Sequence, residues 1–171
     1  MEIISYVLEG NLKHRDSRGT TTLISASGVQ RMSAGTGIIH SEYNASDIEP
    51  VHFLQIWIEP AVLGSRPDYK QKTFGEEEKQ GHLCLIVSPD GRSGSLHIRQ
   101  DAYLYAAVLM EGDGIKYPLA PGQKAFAQVV RGAVTSNGIR LAAGDGAAIR
   151  EEEAIGLTAL EPSEILLFDL A

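Results

Sequence analysis

A chain of 171 residues with 43% hydrophobic side chains is long enough for one packed domain or two small ones, and its composition is that of a globular protein. The formal net charge of −7 leaves no bulk attraction for nucleic acid or an anionic membrane, and the single cysteine, Cys84, excludes an intrachain disulfide. Eighteen glycines point to many short strands and tight turns rather than long helices. The N-terminus carries no basic segment leading into an apolar core, and no run is long enough to span a bilayer, so the expectation is a soluble cytoplasmic protein.

Glu2–Leu8 has the apolar, β-branched character of a strand, Glu9-Gly10-Asn11 reads as a turn, and Leu12–Asp16 returns as the second arm of a hairpin. His14, beside Arg15 and Asp16, reads as a polar strand-end residue, and Arg15 and Arg18 as solvated loop side chains. Thr20–Ser25 is the next strand, Ala26-Ser27-Gly28 turns the chain into Val29–Met32, and Gly35 and Gly37 suit a tight turn ahead of Ile38–Asn44. In a strand, His40 and Glu42 project from one face, roughly 7 Å apart by strand rise, close enough to converge on one ion. An H-x-E pair is also common by chance, so the residues alone leave metal binding and plain strand surface both open.

Val51–Ile58 is the clearest strand, with His52, Leu54, Ile56 and Ile58 on one face and Val51, Phe53, Gln55 and Trp57 on the other. His52 reads as a structural residue at the strand start. Residues 59–81, with Pro60, Pro67 and the charged run Glu76-Glu77-Glu78-Lys79, read as a surface connection holding at most one helical turn. A boundary near its end divides the chain into 1–80 and 81–171. Leu83–Val87 reopens strand sequence with Cys84 as a buried inert thiol, Pro89-Asp90-Gly91 is a turn, and Leu96–Ile98 and Tyr103–Leu109 follow as strands.

The last third faintly repeats the first. Phe126–Val134 parallels Ile4–Leu12, and Asn137-Gly138 is a strong hairpin signal because both positions favour positive φ. Where the first half has His40-Ser41-Glu42, the second reaches Arg150-Glu151-Glu152-Glu153 without a histidine, so 81–171 reads as a structural partner without ligands. Short strands, glycine turns and two related halves predict an all-β jelly-roll architecture.

The pattern G-x6-G-x-G-x2-H-x3-N from Gly28 to Asn44 resembles the second motif of cupins, with His40 in the metal-ligand position. The run Met32-Ser33-Ala34-Gly35-Thr36-Gly37-Ile38-Ile39-His40-Ser41-Glu42-Tyr43-Asn44 resembles the pirin family, as do Tyr6–Gly10, His14–Ser17, Gln55–Ile58, Ser88–Gly91, Gly94–Leu96 and Leu166–Leu170. Bacterial pirin-like quercetin dioxygenases are the most similar members. The resemblance spans nearly the whole chain and implies a bicupin, two jelly-roll barrels, with 1–80 carrying the metal-site half and 81–171 a cupin without ligands.

In that family an H-x-H pair and the His and Glu of H-S-E hold the metal. His40 and Glu42 match the second pair. The H-x-H of relatives lies just ahead of the E-I-I-S-Y-V-L-E-G segment, which here begins at Glu2, so the resemblance implies a first barrel N-terminally incomplete, with an exposed edge that favours a homodimer or strand exchange. No H-x-H occurs in the sequence, and His14 is a conceivable substitute; Glu2 matches a carboxylate of the first cupin motif.

The activity implied is metal-dependent, O2-dependent ring cleavage of a flavonol such as quercetin, with iron the expected divalent metal, His40 a ligand and Glu42 both ligand and base. Two ligands alone predict low metal occupancy and little dioxygenase activity. The alternatives are a non-enzymatic pirin-type regulatory or protein-interaction module and a structural bicupin remnant.

Overall fold

The computed structural model describes residues 1–171, which form two compact units. The first comprises Met1–Gly75, Pro89–Gly91 and Leu96–Gln100; the second comprises Glu76–Ser88, Arg92–Ser95 and Asp101–Ala171. Apart from α1 (Glu76–Lys79) and a 3-10 turn at Arg92–Gly94, all regular structure is β, and no helix is long and apolar enough to cross a membrane. This is an all-β cupin fold.

The first unit is built from β1 (Glu2–Glu9), β2 (Asn11–Asp16), β3 (Thr21–Ser25), β4 (Gly28–Ser33), β5 (His40–Asn44), β6 (His52–Ile58) and β7 (Asp68–Thr73). They form two antiparallel sheets, β6-β1-β4-β7 and β3-β2-β5. The strand β7 departs from the surface connection expected over residues 59–81. Its residues Asp68-Tyr69-Lys70-Gln71-Lys72-Thr73 carry little strand propensity, and pairing along the whole of β4, from Gly28↔Thr73 to Ser33↔Asp68, overrides it.

The second unit contains α1, β8 (Cys84–Ser88) and, after β9 (Leu96–His97) of the first unit, β10 (Ala102–Leu109), β11 (Gly114–Pro118), β12 (Lys124–Arg131), β13 (Ala133–Ser136), β14 (Ile139–Ala142), β15 (Gly146–Ile149), β16 (Ala154–Ala159) and β17 (Ser163–Leu170). Its strands run in the orders β15-β12-β17-β10-β8 and β11-β16-β13-β14. The turn between β13 and β14 has Asn137 at φ 46° and Gly138 at φ 83°, as the hairpin signal requires. Lys79, expected on a solvated charged run, is buried with Nζ 3.3 Å from Glu164 Oε1.

The repeat read in the sequence is a repeat of topology. The order β6-β1-β4 recurs as β17-β12-β15, and β5-β2-β3 recurs as β16-β13-β14. Each first strand slips register near its end, between Val7 and Glu9 in β1 and between Val129 and Arg131 in β12. Each then turns at a left-handed glycine, Gly10 (φ 71°) or Gly132 (φ 75°). Four residues beyond these glycines stand His14, paired with Glu42, and Ser136, paired with Leu157. His40 therefore corresponds to Ile155. The stretch Arg150–Glu153, expected from the sequence as the counterpart of His40–Glu42, is instead the connection between β15 and β16, which is shorter than the connection between β4 and β5.

The interiors differ accordingly. In the second unit Ile155 and Leu157 are fully buried with Val129, Val134, Ile165 and Leu167, each such side chain contributing about 1.5–3 kcal/mol. The first unit has a smaller apolar cluster of Val7, Leu12 and Ile24, with Val51 and Phe53 packed against it. Beside it lies a group of polar side chains.

Candidate metal centre

Strand pairing assembles that polar group. Register places His14 of β2 opposite Glu42 of β5, and Asp16 opposite His40. On the facing sheet Ser5 of β1 lies between Gln30 of β4 and Gln55 of β6. One ligand atom from each of His14, His40 and Glu42 lies within 4.8 Å of the other two. His14 Nδ1 is 3.7 Å from Glu42 Oε1, and the two side chains are almost wholly buried.

Each residue is held by its neighbours. Glu42 Oε1 accepts hydrogen bonds from Ser5 Oγ (3.1 Å) and from Gln30 Nε2, and Oε2 accepts one from Gln55 Nε2. Gln30 Nε2 also donates to Ser5 Oγ at 3.0 Å, and Trp57 Nε1 donates to Gln55 Oε1 at 3.1 Å, which turns the Gln55 amide toward Glu42. The His14 ring stacks on Tyr69 at 4.7 Å and on His40 at 5.7 Å. The Tyr69 hydroxyl lies within hydrogen-bond distance of Thr22 Oγ1 (2.6 Å), Gln71 Oε1 (2.8 Å) and Gln30 Oε1 (3.1 Å). Burial pushes the Tyr69 phenol up to about 12; the Thr22 bond works against this, and the charges of Glu42 and Asp16 add to it.

Two polar atoms remain without partners. Nδ1 of His14 and Nδ1 of His40 are both buried and accept or donate no hydrogen bond. Buried polar groups are normally satisfied, so two bare imidazole nitrogens beside a carboxylate ask for something between them. Two imidazoles and one carboxylate are the donor set of non-haem iron centres, and the same set serves other divalent first-row metals. The residues fit a cation.

The sequence placed His40 and Glu42 on one face of one strand, and the structure keeps them there. His14 is fully buried inside the group rather than a polar strand end, because β2 pairs with β5 in a register that faces it to Glu42. Glu2 is not part of the group. It projects from the opposite face of β1, accepts from Ser33 Oγ at 2.7 Å and lies 4.0 Å from Arg99. His52 is exposed at the start of β6. Sequence reasoning did not find Ser5, Asp16, Gln30 or Tyr69; polar residues inside otherwise apolar strands, as in Ile3-Ile4-Ser5-Tyr6-Val7, were the available signal.

Comparison with known proteins places the chain in a family. Residues 1–58 match the family model described as Pirin, and residues 85–170 match the quercetinase C-terminal cupin domain. A protein named quercetin 2,3-dioxygenase from Escherichia coli K12 is 46% identical over 170 residues, which span 99% of this chain and 72% of that one. A putative quercetin 2,3-dioxygenase from Pseudomonas aeruginosa is 43% identical over 172 residues, 100% of this chain and 74% of that one. The crystal structure of the bacterial pirin YhhW from Escherichia coli in complex with nickel(II) superposes with a TM-score of 0.94 at 45% identity, covering 99% of this chain and 72% of that one.

Proposed function

Since the chain belongs to the pirin family of the cupin superfamily, we propose that its first unit is a metal-dependent dioxygenase centre of quercetinase type, acting on a flavonol-like substrate with O2. The observation that carries this reading is the convergence of His14, His40 and Glu42 with two partnerless imidazole nitrogens. His14 and His40 supply neutral nitrogen donors and Glu42 supplies the carboxylate. Iron suits this donor set in an oxygenase, and nickel competes for it because nickel(II) binds nitrogen and oxygen donors more tightly than iron(II). The bound metal would supply Lewis acidity toward the substrate's oxygens and a meeting place for substrate and O2.

The chain's own residues do the rest. Glu42, held by donors on both oxygens, is placed to accept the proton of a substrate hydroxyl at Oε1 or Oε2. Ser5, Gln30 and Gln55 are neutral donors, so they fix the carboxylate without neutralising it. The second unit, with Ile155 and Leu157 at the positions of His40 and Glu42, acts as a cupin free of metal ligands.

The test is metal content of the purified protein by elemental mass spectrometry, alongside metal-dependent quercetin consumption, for the wild-type chain and for His14→Ala, His40→Ala and Glu42→Gln. About one divalent metal per chain, lost with turnover in the histidine variants, is the expected result. Metal-free wild-type protein that stays metal-free after iron(II) or nickel(II) loading would refute the reading.

A further inference from the structure

The second unit has no metal ligands at the positions of His40 and Glu42, yet its interior is not wholly apolar. The inner face of β12 carries Ala125, Ala127 and Val129, and β17 sets Ile165 and Leu167 beside them. The next inward position of β17 is Asp169, opposite Ala125 on one side and Tyr103 on the other. Asp169 is only 8% exposed. Its Oδ2 receives the Tyr117 hydroxyl at 2.7 Å, and its Oδ1 is buried without a partner. Tyr117 is a neutral donor, so it leaves the charge of the carboxylate in place.

A second bare acceptor stands beside the first. Gln123 lies two residues before Ala125 and so on the same inner face, half-buried between exposed Gly122 and Lys124. Its Oε1 is also buried without a partner. Diagonal neighbours on paired strands lie roughly 7–8 Å apart, within reach of a long side chain, which brings the Gln123 amide to Asp169. Buried acceptors are normally paired, and two acceptors cannot satisfy each other. Both lack a donor.

Gln123 also lines a cavity of about 550 Å3, with Leu119 and the stretch Arg150–Glu153. The Leu119 N–H donates to Glu153 O at 2.9 Å and ties these two walls together. The position is a particular one in the fold. β12 corresponds to β1, and the connection from β15 to β16 corresponds to the connection from β4 to β5 that leads into His40. The cavity therefore opens at the end of the second unit that matches the His40 end of the first.

The geometry points to a binding site for a small organic cation, whose ammonium group donates to Asp169 Oδ1 and Gln123 Oε1 and whose apolar part lies against Leu119. One positive charge offsets the carboxylate, which Tyr117 does not do. At the rim, Glu151, Glu152 and Glu153 outnumber Arg150 and Lys124 and favour the approach of a cation. A calcium ion takes about six to eight oxygen ligands, so these two oxygens select an N–H donor rather than a metal.

The test is titration of the full chain with n-propylammonium chloride, followed by 1H–15N spectra of the backbone amides of residues 119–124. The uncharged n-propanol and potassium chloride are the controls. The expected result is a saturable shift with n-propylammonium and none with either control. Asp169→Asn keeps an oxygen for Tyr117 and removes the charge, and should weaken binding about tenfold or more. Gln123→Lys supplies an ammonium group from the chain itself, and should raise the urea midpoint and abolish the response to the probe. A wild-type chain with no saturable response to n-propylammonium would overturn the inference, as would equal saturation by n-propanol or potassium chloride. So would unchanged affinity in Asp169→Asn, or a Gln123→Lys protein that is less stable than the wild type or still binds the probe.

Discussion

Leu157 occupies in the second unit the strand position that Glu42 occupies in the first: each lies opposite the fourth residue after a left-handed glycine, Ser136 or His14. One topology thus encloses a carboxylate in one unit and a leucine in the other. The surroundings decide which is tolerated. Glu42 has Ser5, Gln30 and Gln55 to donate to it, whereas Leu157 is fully buried among aliphatic side chains.

Leu157→Glu should therefore not create a second centre. A carboxylate there would meet the Ser136 hydroxyl across the strand pair and otherwise aliphatic neighbours, without the three donors that hold Glu42, and burying so poorly paired a charge costs on the order of 3 kcal/mol or more. The urea midpoint should fall sharply and nickel(II) stoichiometry should stay at one per chain. A folded Leu157→Glu protein binding two metals would contradict this.

Gln30 ties three of the site's groups together: Nε2 reaches Ser5 Oγ and Glu42 Oε1, and Oε1 receives Tyr69. Replacement by Leu leaves a buried hydroxyl and a buried carboxylate oxygen each short of a donor. Stability should fall by about 1–3 kcal/mol. Chemical denaturation of Gln30→Leu beside Ser5→Ala, which removes only one donor, should rank the glutamine as the larger loss.

Much of this is legible in the sequence. The alternation of Val51, Phe53, Gln55 and Trp57 assigned the face of β6 that carries Gln55, and the spacing of His40 and Glu42 put both on one face of β5. The partnership of His14 was not legible, because a strand's periodicity says which residues share a face but not which strand lies across from it. Pairing of β2 with β5 joins residues 28 apart in sequence, and only that register turns a polar strand-end histidine into a member of the site. β7 was missed for the same reason: Lys70 and Lys72 form a strand only because β4 offers them an edge.

Arg31 is buried and holds Asp68 Oδ2 at 2.8 Å, while its Nε has no partner. Burial works to raise the Asp68 carboxyl, but the hydrogen bond and charge of Arg31 outweigh it, with Tyr69 N–H and Lys70 adding, and hold it below its ordinary 3.8. A carboxyl depressed in the folded state contributes stability that is present above its unfolded value and is lost as pH falls through the folded one. Asp68 is 42% exposed, so the term itself is small after solvent screening. Asp68→Asn should lower the urea midpoint at pH 7 and should remove this part of the decline below pH 4; equal slopes in the two proteins between pH 5 and pH 3 would rule the pair out as a contributor.

Tyr117 donates to Asp169 Oδ2 at 2.7 Å and lies 3.2 Å from the Tyr105 hydroxyl, while Asp169 Oδ1 is buried without a partner. Burial, then hydrogen bonding with Tyr105 and Asp169, pushes the Tyr117 phenol well above its ordinary 10.0. Its pKa is raised on folding, so its contribution is fully present below the unfolded value and is lost as pH rises through that value toward the folded one. Tyr117→Phe removes the donor and leaves both oxygens of a buried carboxylate unpaired, which costs about 1–3 kcal/mol at pH 7. Above pH 10 the wild-type chain pays an ionisation term that the phenylalanine variant lacks, because the unfolded tyrosine deprotonates while the folded one cannot. The gap between the two urea midpoints should therefore narrow between pH 9 and pH 11. A gap that stays constant over that range would show that Tyr117 ionises as readily folded as unfolded, and that its bond to Asp169 does not hold the phenol neutral.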